Sequence, residues 1–477
     1  MRTVNRRYFV VALLGLSVAA TADAREDDSA FDFGAARDAF LAHHAKDLFG
    51  FDRPAASSTA SVDAATANAD PTSLISVAKG LRVRVVTAAA NAGANIDQIA
   101  LWPDDFHPTH LIVMNEQGAA DPGVQRIRLS DGLVETILTG TSSNDPIRRT
   151  PWGTILAGEE GGTTGQMVEI LNPLATTNVL YDRVLGVATN GPGGSGAENV
   201  APRWALGRLS FEGLAILPSG VVYYGDERGP SAGVAGGAYY KFIPAAPFLG
   251  GGPITSLAQS PLVAGQVYGL RLSRGNNFGQ GNNTGLGVWV AVPDSTNANL
   301  RAAGAALGLS GFYRPEDLEL DARAFAAGEV RACGNNTGNE GDQNFGETIC
   351  IDDGPAAQAT TNTANPSLQF FVMSYPDLAM QDNLAQHPKK KFWAINEDGD
   401  GPSAGRNNDI WACLEDGADP DLLSDGCLRF ASLNDLNAES TGGIFDGTGR
   451  HYYVSVQHNV TGHGVVLDIV GWGDDHR

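Results

Sequence analysis

Two adjacent carboxylates follow a short strand-like segment and have glycines on both sides. Residues 154–157 are apolar, Gly158 follows them, and Glu159 and Glu160 come next. Glycine has no Cβ atom, so backbone or a ligand can approach it closely. Neighbouring side chains inside a strand face opposite sides, whereas at a strand end, where the chain turns, both carboxylates can converge. Such a pair is suited to a hard cation such as calcium, and a solvated turn is the alternative.

Other acidic residues also come at the ends of strand-like segments. If equivalent strands end at one edge of the fold, these carboxylates gather there and supply the six to eight oxygen ligands that calcium prefers. Any one of them taken singly is more often a solvated loop residue. The candidate metal ligands are Glu159, Glu160, Glu212, Asp226, Glu227, Glu316, Glu397 and Asp398, and Glu116 and Glu439 belong to the wider group.

Arginines next to these acidic residues are candidates for binding an anion. Arg149 precedes the opening motif, and Arg228 follows Asp226 and Glu227. A guanidinium binds phosphate oxygens through two parallel hydrogen bonds. The alternative is that each arginine pairs with a neighbouring carboxylate.

The sequence offers no convincing nucleophile motif. Residues 229–233 and 401–405 both read Gly-Pro-Ser-Ala-Gly, which fits the G-x-S-x-G pattern. A nucleophile elbow leads into a helix, and no helical pattern follows either copy, so both are interpreted as turns.

Composition and an internal repeat predict the elements that must hold these groups. The 477 residues include 59 glycines and 24 prolines, which favours many short strands joined by turns. Residues 212–227 and 382–398 share the same order of segments: an apolar strand, a turn, a strand with aromatic residues, and then acidic residues. Residues 441–458 repeat this order more weakly. We therefore predict an all-β fold, a β-propeller of six blades over residues 80–477, with a pair of β-sandwiches as the alternative. Residues 25–79 are predicted to form a short helical extension and a polar linker.

The N-terminus has the features of an export signal. Arg6 and Arg7 precede the apolar run 10–20, which is too short to span a bilayer, and residues 22–24 read Ala-Asp-Ala. We predict a signal peptide over residues 1–24 of the twin-arginine type, with the general secretory type as the alternative, and a periplasmic or secreted protein. The net charge of −22 disfavours nucleic acid and anionic membranes as partners of the mature chain, which we expect to be a monomer.

Four cysteines lie in the last third of the chain. An exported chain with an even number of cysteines is typical of disulfide bonding, and no C-x-x-C spacing supports a tetrathiolate metal site. Three pairings are possible, of which we favour Cys333–Cys350 with Cys413–Cys427.

Several segments together resemble the PhoX-type bacterial alkaline phosphatases. They are the twin-arginine signal and residues 150–160, 207–213, 224–228, 314–317, 382–384 and 439–458. The resemblance implies a six-bladed propeller, a calcium-dependent site with two ferric ions, and hydrolysis of phosphomonoesters. It also implies metal-ligand roles for Glu159, Glu160, Glu212, Glu316 and Glu397.

One departure from that family concerns iron. Gly158 stands where the family has an iron-ligating cysteine, and glycine offers only backbone atoms. The sequence therefore weighs against the ferric ions and leaves a calcium-only site. Two functions follow: a calcium-dependent phosphatase acting on a small phosphorylated substrate, or a calcium-binding propeller without phosphomonoesterase activity, such as a binding protein or another esterase.

Overall fold

The computed structural model describes residues 33–231, 233–272, 284–375, 377–399, 405–417 and 421–473. The predicted signal peptide lies outside these residues. The helices are α1 (Phe33–His43), α2 (Ala45–Leu48), α3 (Ala64–Ala69), α4 (Leu300–Leu307) and α5 (Ala322–Ala326). None of them is long and apolar enough to cross a membrane.

Most of the described chain forms short strands. They are β1 (Ile75–Val77), β2 (Arg82–Thr87), β3 (Ile96–Trp102), β4 (His110–Asn115), β5 (Pro122–Arg128), β6 (Val134–Thr139), β7 (Asn144–Arg149), β8 (Ile155–Glu159), β9 (Met167–Ile170), β10 (Thr177–Asp182), β11 (Val187–Ser195), β12 (Val200–Pro202), β13 (Phe211–Ile216), β14 (Val222–Asp226), β15 (Tyr239–Pro244), β16 (Gly265–Leu272), β17 (Gly285–Ala291), β18 (Pro315–Leu320), β19 (Glu329–Asn336), β20 (Glu347–Pro355), β21 (Ser367–Met373), β22 (Gln381–Gln386), β23 (Phe392–Glu397), β24 (Asp409–Leu414), β25 (Cys427–Leu433), β26 (Glu439–Phe445), β27 (His451–Gln457) and β28 (Val465–Val470).

The strands form six four-stranded antiparallel meanders. These are β3–β6, β7–β9 with β12, β13–β16, β18–β21, β22–β25, and β26–β28 with β2. The third and fourth are joined into one nine-stranded sheet because β17 pairs with both β16 and β21. The first strand of each meander packs against the first strand of the next, and the last of them, β26, packs against β3. This ring confirms the predicted β-propeller, with its six first strands around the central axis.

The sequence explains both the packing and the closure of the ring. Each sheet lies between two others, so its central strands are mostly apolar on both faces; β28, for example, is Val-Val-Leu-Asp-Ile-Val and buried throughout. The ring closes where β2, from the start of the propeller, pairs with β28 from its end.

The N-terminal extension and the disulfides strengthen this framework. Helices α1 and α2 agree with the predicted helical extension, and Phe49 and Phe51 behind them are buried against Phe392 and Trp472. Strand β1 adds to the fifth meander through β25. Both favoured disulfides, Cys333–Cys350 and Cys413–Cys427, are confirmed, and each joins directly paired residues of neighbouring strands.

Candidate metal centre

The first strand of each meander places an acidic residue at the same end of the central axis. In five meanders this residue is the second of the strand, and in the sixth, β26, it is the first. The residues are Asp97, Asp145, Glu212, Glu316, Asp382 and Glu439. Each strand has a bulge or other irregularity of register just beyond this position. Bulges commonly redirect side chains next to functional sites, and here they coincide with the inward acidic side chains.

The second strand of each meander returns to the same end, because it is antiparallel to the first. The residue that follows it is charged or titratable in five of the six meanders. These residues are Glu116, Glu160, Glu227, Asp398 and His458. Together, the ten acidic residues of the two sets form what we call the axial carboxylate cluster.

Two groups within the cluster have the geometry of cation sites. Asp145, Glu160 and Glu212 each offer an oxygen within 4.8 Å of the others, and so do Asp382, Asp398 and Glu439. In the first group, Oδ1 of Asp145 and Oε1 of Glu212 are buried and have no hydrogen-bond partner among the described residues. Buried acceptors without donors are costly unless something else satisfies them. Converging carboxylate oxygens are the donors that calcium prefers, so these residues fit the calcium that the sequence predicted.

The electrostatics of the cluster also favour a bound cation. Burial, reinforced by Glu227 and Glu116 among its neighbours, raises the pKa of Glu160 to about 10. Burial likewise raises the pKa of Asp145 to about 8 and that of Glu212 well above its usual range. So many negative charges are costly to hold close together away from water, and without cations these three groups are compensated by taking up protons. Cations would supply the missing positive charge and displace those protons.

One arginine lies among the carboxylates. Nε of Arg314 donates to Oε1 of Glu227 over 2.8 Å, and its Nη2 atom is 3.1 Å from Glu316 and 3.5 Å from Asp398. Its backbone has a φ of +58°, a left-handed conformation that is unfavourable for a residue with a side chain. Strain of this kind costs about 1–3 kcal/mol and is common at functional sites. The loop conformation therefore presents a guanidinium fork to the cluster.

Three predicted ligands face away from the cluster. Each is the last residue of a second strand, so its side chain lies on the face opposite to the residue that follows it. Glu159 accepts two hydrogen bonds from Arg183, at 2.7 and 3.1 Å. Nε and Nη2 of Arg301 donate to the two carboxylate oxygens of Asp226. Glu397 forms an ion pair with Arg406 at 2.7 Å.

The acidic pairs of the sequence are thus divided between two environments. Only the second member of each pair, Glu160, Glu227 or Asp398, faces the axis, although the sequence predicted that both members converge. Of the eight predicted ligands, the structure brings five into the cluster: Glu160, Glu212, Glu227, Glu316 and Asp398. The other three, Glu159, Asp226 and Glu397, are buried ion-pair partners of arginines.

The two predicted phosphate-binding arginines lie elsewhere. Arg149 ends β7, whose second residue is Asp145, so about 13 Å of strand separates it from the cluster. It pairs with Asp105 at 2.7 Å. Arg228 follows Glu227, and it lines a pocket next to the cluster.

Sequence reasoning missed Asp97, Asp145 and Asp382 as site residues. A repeat in the first strands identifies them: an acidic residue, any residue, and then isoleucine or leucine. It occurs as Asp97–Ile99, Asp145–Ile147, Glu212–Leu214, Glu316–Leu318 and Asp382–Leu384. In each case the aliphatic residue is buried in the sheet, which fixes the acidic residue at the start of the strand.

The residues do not fit a thiolate-bound iron. A Cβ atom on Gly158 would lie 2.7 Å from Cγ of Pro146 and 2.9 Å from Sδ of Met167, so a side chain there meets occupied space. All four cysteines of the chain are in the two disulfides. The site therefore offers oxygen ligands and no thiolate.

Comparison with solved structures supports the fold. Pseudomonas fluorescens PhoX in complex with vanadate, a transition state analogue, is similar with a TM-score of 0.60 and 17% identity over 87% of this chain and 99% of that one. The PQQ-bound aldose sugar dehydrogenase of Streptomyces coelicolor is more distant, with a TM-score of 0.42 and 13% identity over 82% of this chain and 98% of that one. No curated protein matches the sequence.

Comparison with family models is more specific. The model of the alkaline phosphatase PhoX family matches residues 82–459, which include every strand from β2 to β27 and all ten residues of the axial carboxylate cluster. Membership supports a phosphatase-type, metal-dependent function. The chain belongs to the alkaline phosphatase PhoX family.

Proposed function

We propose that this chain is an exported, calcium-dependent phosphatase that hydrolyses phosphomonoesters at the axial carboxylate cluster. The observation that carries the proposal is the position of Arg314, a phosphate-binding type of side chain, among converging carboxylates. The two disulfides support export to an oxidising compartment such as the periplasm. The predicted twin-arginine signal supports the same destination.

Each set of residues has a distinct part in the proposed reaction. Asp145, Glu160 and Glu212 would hold one cation, and Asp382, Asp398 and Glu439 a second. When bound, such cations neutralise phosphate charge and make a bound water a better nucleophile. Arg314 orients the phosphoryl group, and its guanidinium stabilises the charge that grows on the phosphoryl oxygens. Buried Glu316 and the half-buried Glu227 hold that guanidinium in place.

A calcium-binding propeller without phosphomonoesterase activity is the second candidate. The observation that favours it is Gly158, because the chain lacks the thiolate ligand that the resemblance to the family implies. In that case the cluster would bind cations for structure or for another ligand. The two candidates share the metal centre and differ only in turnover.

The deciding experiment combines metal analysis with an assay. The protein is purified from the periplasm, its metals are measured, and 4-nitrophenyl phosphate hydrolysis is followed with and without a chelator. Calcium and chelator-sensitive turnover are expected, and a Glu160→Gln/Glu212→Gln double variant should lose turnover and bind fewer calcium ions per chain. Bound calcium without turnover at any pH would leave the binding protein as the function, and absence of bound metal would reject the proposed centre.

A further inference from the structure

A pocket of about 270 Å³ lies beside the axial carboxylate cluster. Its walls are formed by residues from the end of β14 to the start of β15, among them 233–236, and by helix α4. Tyr240 closes one side, where its hydroxyl donates to the carbonyl of Leu300 over 2.9 Å. Small and aliphatic residues make up most of the rest, namely Gly233, Val234, Ala235, Gly236, Ala238, Gly304, Ala305 and Leu309.

The pocket and the cluster share a wall. Asp226 and Arg228 line the pocket, while Glu227 between them faces Arg314 and the cluster. Arg301 fixes this wall, because it donates to Asp226 and also to the backbone carbonyl of Glu227 at 2.9 Å. The backbone N–H of Arg314 donates to the carbonyl of Arg228 over 3.2 Å, so this edge of the pocket lies next to the residue that presents its guanidinium to the cluster.

Size and lining suit an organic group. A cavity of about 150 Å³ with apolar walls accommodates benzene, so this pocket has room for an aromatic ring or a group of similar size. Gly304 keeps the space open, since a Cβ atom there would lie 2.7 Å from the hydroxyl oxygen of Tyr240. The lining offers contact area for such a group and few polar requirements.

Arg228 adds a charge to this lining. Its guanidinium forms no hydrogen bond or ion pair with any residue that the structure describes, whereas neighbouring Arg301 is committed to Asp226, Ser210 and Glu227. An unpaired guanidinium at the edge of an apolar pocket favours a ligand that carries a negative charge at that edge. If the phosphate of a ligand is bound at the cluster, the negative charge that pairs with Arg228 must belong to the organic part of the ligand.

We propose that the pocket receives the organic group of the phosphate ester, and that Arg228 pairs with a second anionic group on it. The preferred substrates are then phosphomonoesters of small carboxylated or phosphorylated organic molecules. This inference rests on the proposed phosphatase function. Arg228 is thus a specificity residue and does not contact the transferred phosphoryl group.

The pocket itself is tested by filling it. Ala305 is exposed on α4 and lines the pocket, while the next residue, Ala306, is exposed and does not line it. In the calcium-loaded protein, Ala305→Trp is expected to lower the ratio of kcat/KM for phenyl phosphate over methyl phosphate at least tenfold. Ala306→Trp is the matched control and should keep the wild-type ratio. Equal ratios in both variants would overturn the assignment of the pocket.

The role of Arg228 is tested with a charged ester. We expect wild-type protein to prefer 4-carboxyphenyl phosphate over phenyl phosphate, Arg228→Ala to lose that preference, and Arg228→Lys to restore part of it. Arg82→Ala, on exposed β2, is the control for a general loss of positive charge. A preference that survives in Arg228→Ala would overturn this part of the proposal.

Failure of the proposed function can be distinguished from failure of this inference. Calorimetry with phenylphosphonate and 4-carboxyphenylphosphonate, which are not hydrolysed, measures binding without turnover. If no ester is hydrolysed but the carboxylated phosphonate binds more tightly and Arg228→Ala removes that difference, the pocket stands and the phosphatase proposal fails. If esters are hydrolysed and neither binding nor kcat/KM depends on Arg228 or Ala305, the pocket proposal fails alone.

Discussion

The guanidinium of Arg314 donates from Nε to Oε1 of Glu227 over 2.8 Å. Glu227 follows a second strand, β14, while Arg314 immediately precedes a first strand, β18. The ion pair therefore connects the third and fourth meanders at the end of the axis where the carboxylates converge. Since Glu316 and Asp398 both lie near Nη2 of the same guanidinium, its orientation is fixed before any ligand binds. Such preorganised charge is the usual source of transition-state stabilisation.

Replacement of Arg314 by glycine is expected to abolish most of the activity and leave the fold intact. The residue has a positive φ, which glycine adopts without strain. Loss of one such donor to the transition state lowers kcat by about 10²–10³-fold. Steady-state kinetics and thermal unfolding of the calcium-loaded protein measure the two effects. Arg314→Lys should recover part of the activity, and full activity in Arg314→Gly would rule out a role in phosphate binding.

The neighbours Glu159 and Glu160 should respond differently to the same substitution. Glu160→Gln removes a charge from the cluster, so we expect fewer calcium ions per chain, and little loss of folding stability when both proteins are compared in a chelator. Glu159→Gln leaves Arg183 without a charged partner and should cost about 1–3 kcal/mol in unfolding free energy, with calcium content unchanged. Atomic emission analysis and denaturant titration report the two quantities. Equal metal loss in both variants would mean that the division of the pair is incorrect.

Removal of calcium should destabilise the whole propeller. The cluster joins acidic residues from all six meanders, so removal of the cations takes away a contact that links every meander at this end of the axis and leaves buried carboxylates to repel one another or to take up protons. A ligand that binds only the folded state at a hundred times its Kd adds about 2.7 kcal/mol of stability. Tm should therefore fall with a chelator and rise with added calcium. Sodium at matched ionic strength is the control, and an unchanged Tm would argue against a bound cation.

The sequence predicted the type of fold and the chemistry of the site better than the orientation of individual side chains. The many short strand-like segments, the turns between them and the internal repeat were sufficient to predict the propeller. Acidic residues at the ends of these segments were sufficient to predict a carboxylate site. The division of Glu159 from Glu160 depends on whether β8 ends at residue 159 or one position away, and a shift of one residue exchanges the two faces. Sequence patterns do not fix strand ends that closely.

Partners distant in the chain were also beyond the reach of sequence patterns. Arg183, which binds Glu159, lies in the turn between β10 and β11, a hairpin attached to the first sheet rather than to the second. Arg314 has a left-handed backbone that its sequence context, before Pro315, does not indicate. Both arrangements depend on how neighbouring meanders pack.

Buried His387 is expected to make the protein less stable in mild acid. Burial lowers the pKa of His387 to about 4, and its Nδ1 atom accepts hydrogen bonds from the backbone N–H groups of Lys389 and Lys390. The unfolded chain takes up a proton near pH 6.5 and the folded chain does not, so stability falls as the pH drops from about 6.5 towards 4. At pH 5 the loss attributable to this group is about 2 kcal/mol.

A variant that keeps the hydrogen bonds and removes the titration isolates this effect. Asparagine can place Oδ1 where Nδ1 of His387 accepts, and it does not ionise in this range. Denaturant unfolding of wild type and His387→Asn at pH 7.5 and pH 5 should show a smaller loss of stability in the variant, by about 2 kcal/mol. All other titrating groups are common to both proteins, so they cancel in the comparison. An identical pH dependence would mean that His387 is protonated in the folded protein or already perturbed in the unfolded one.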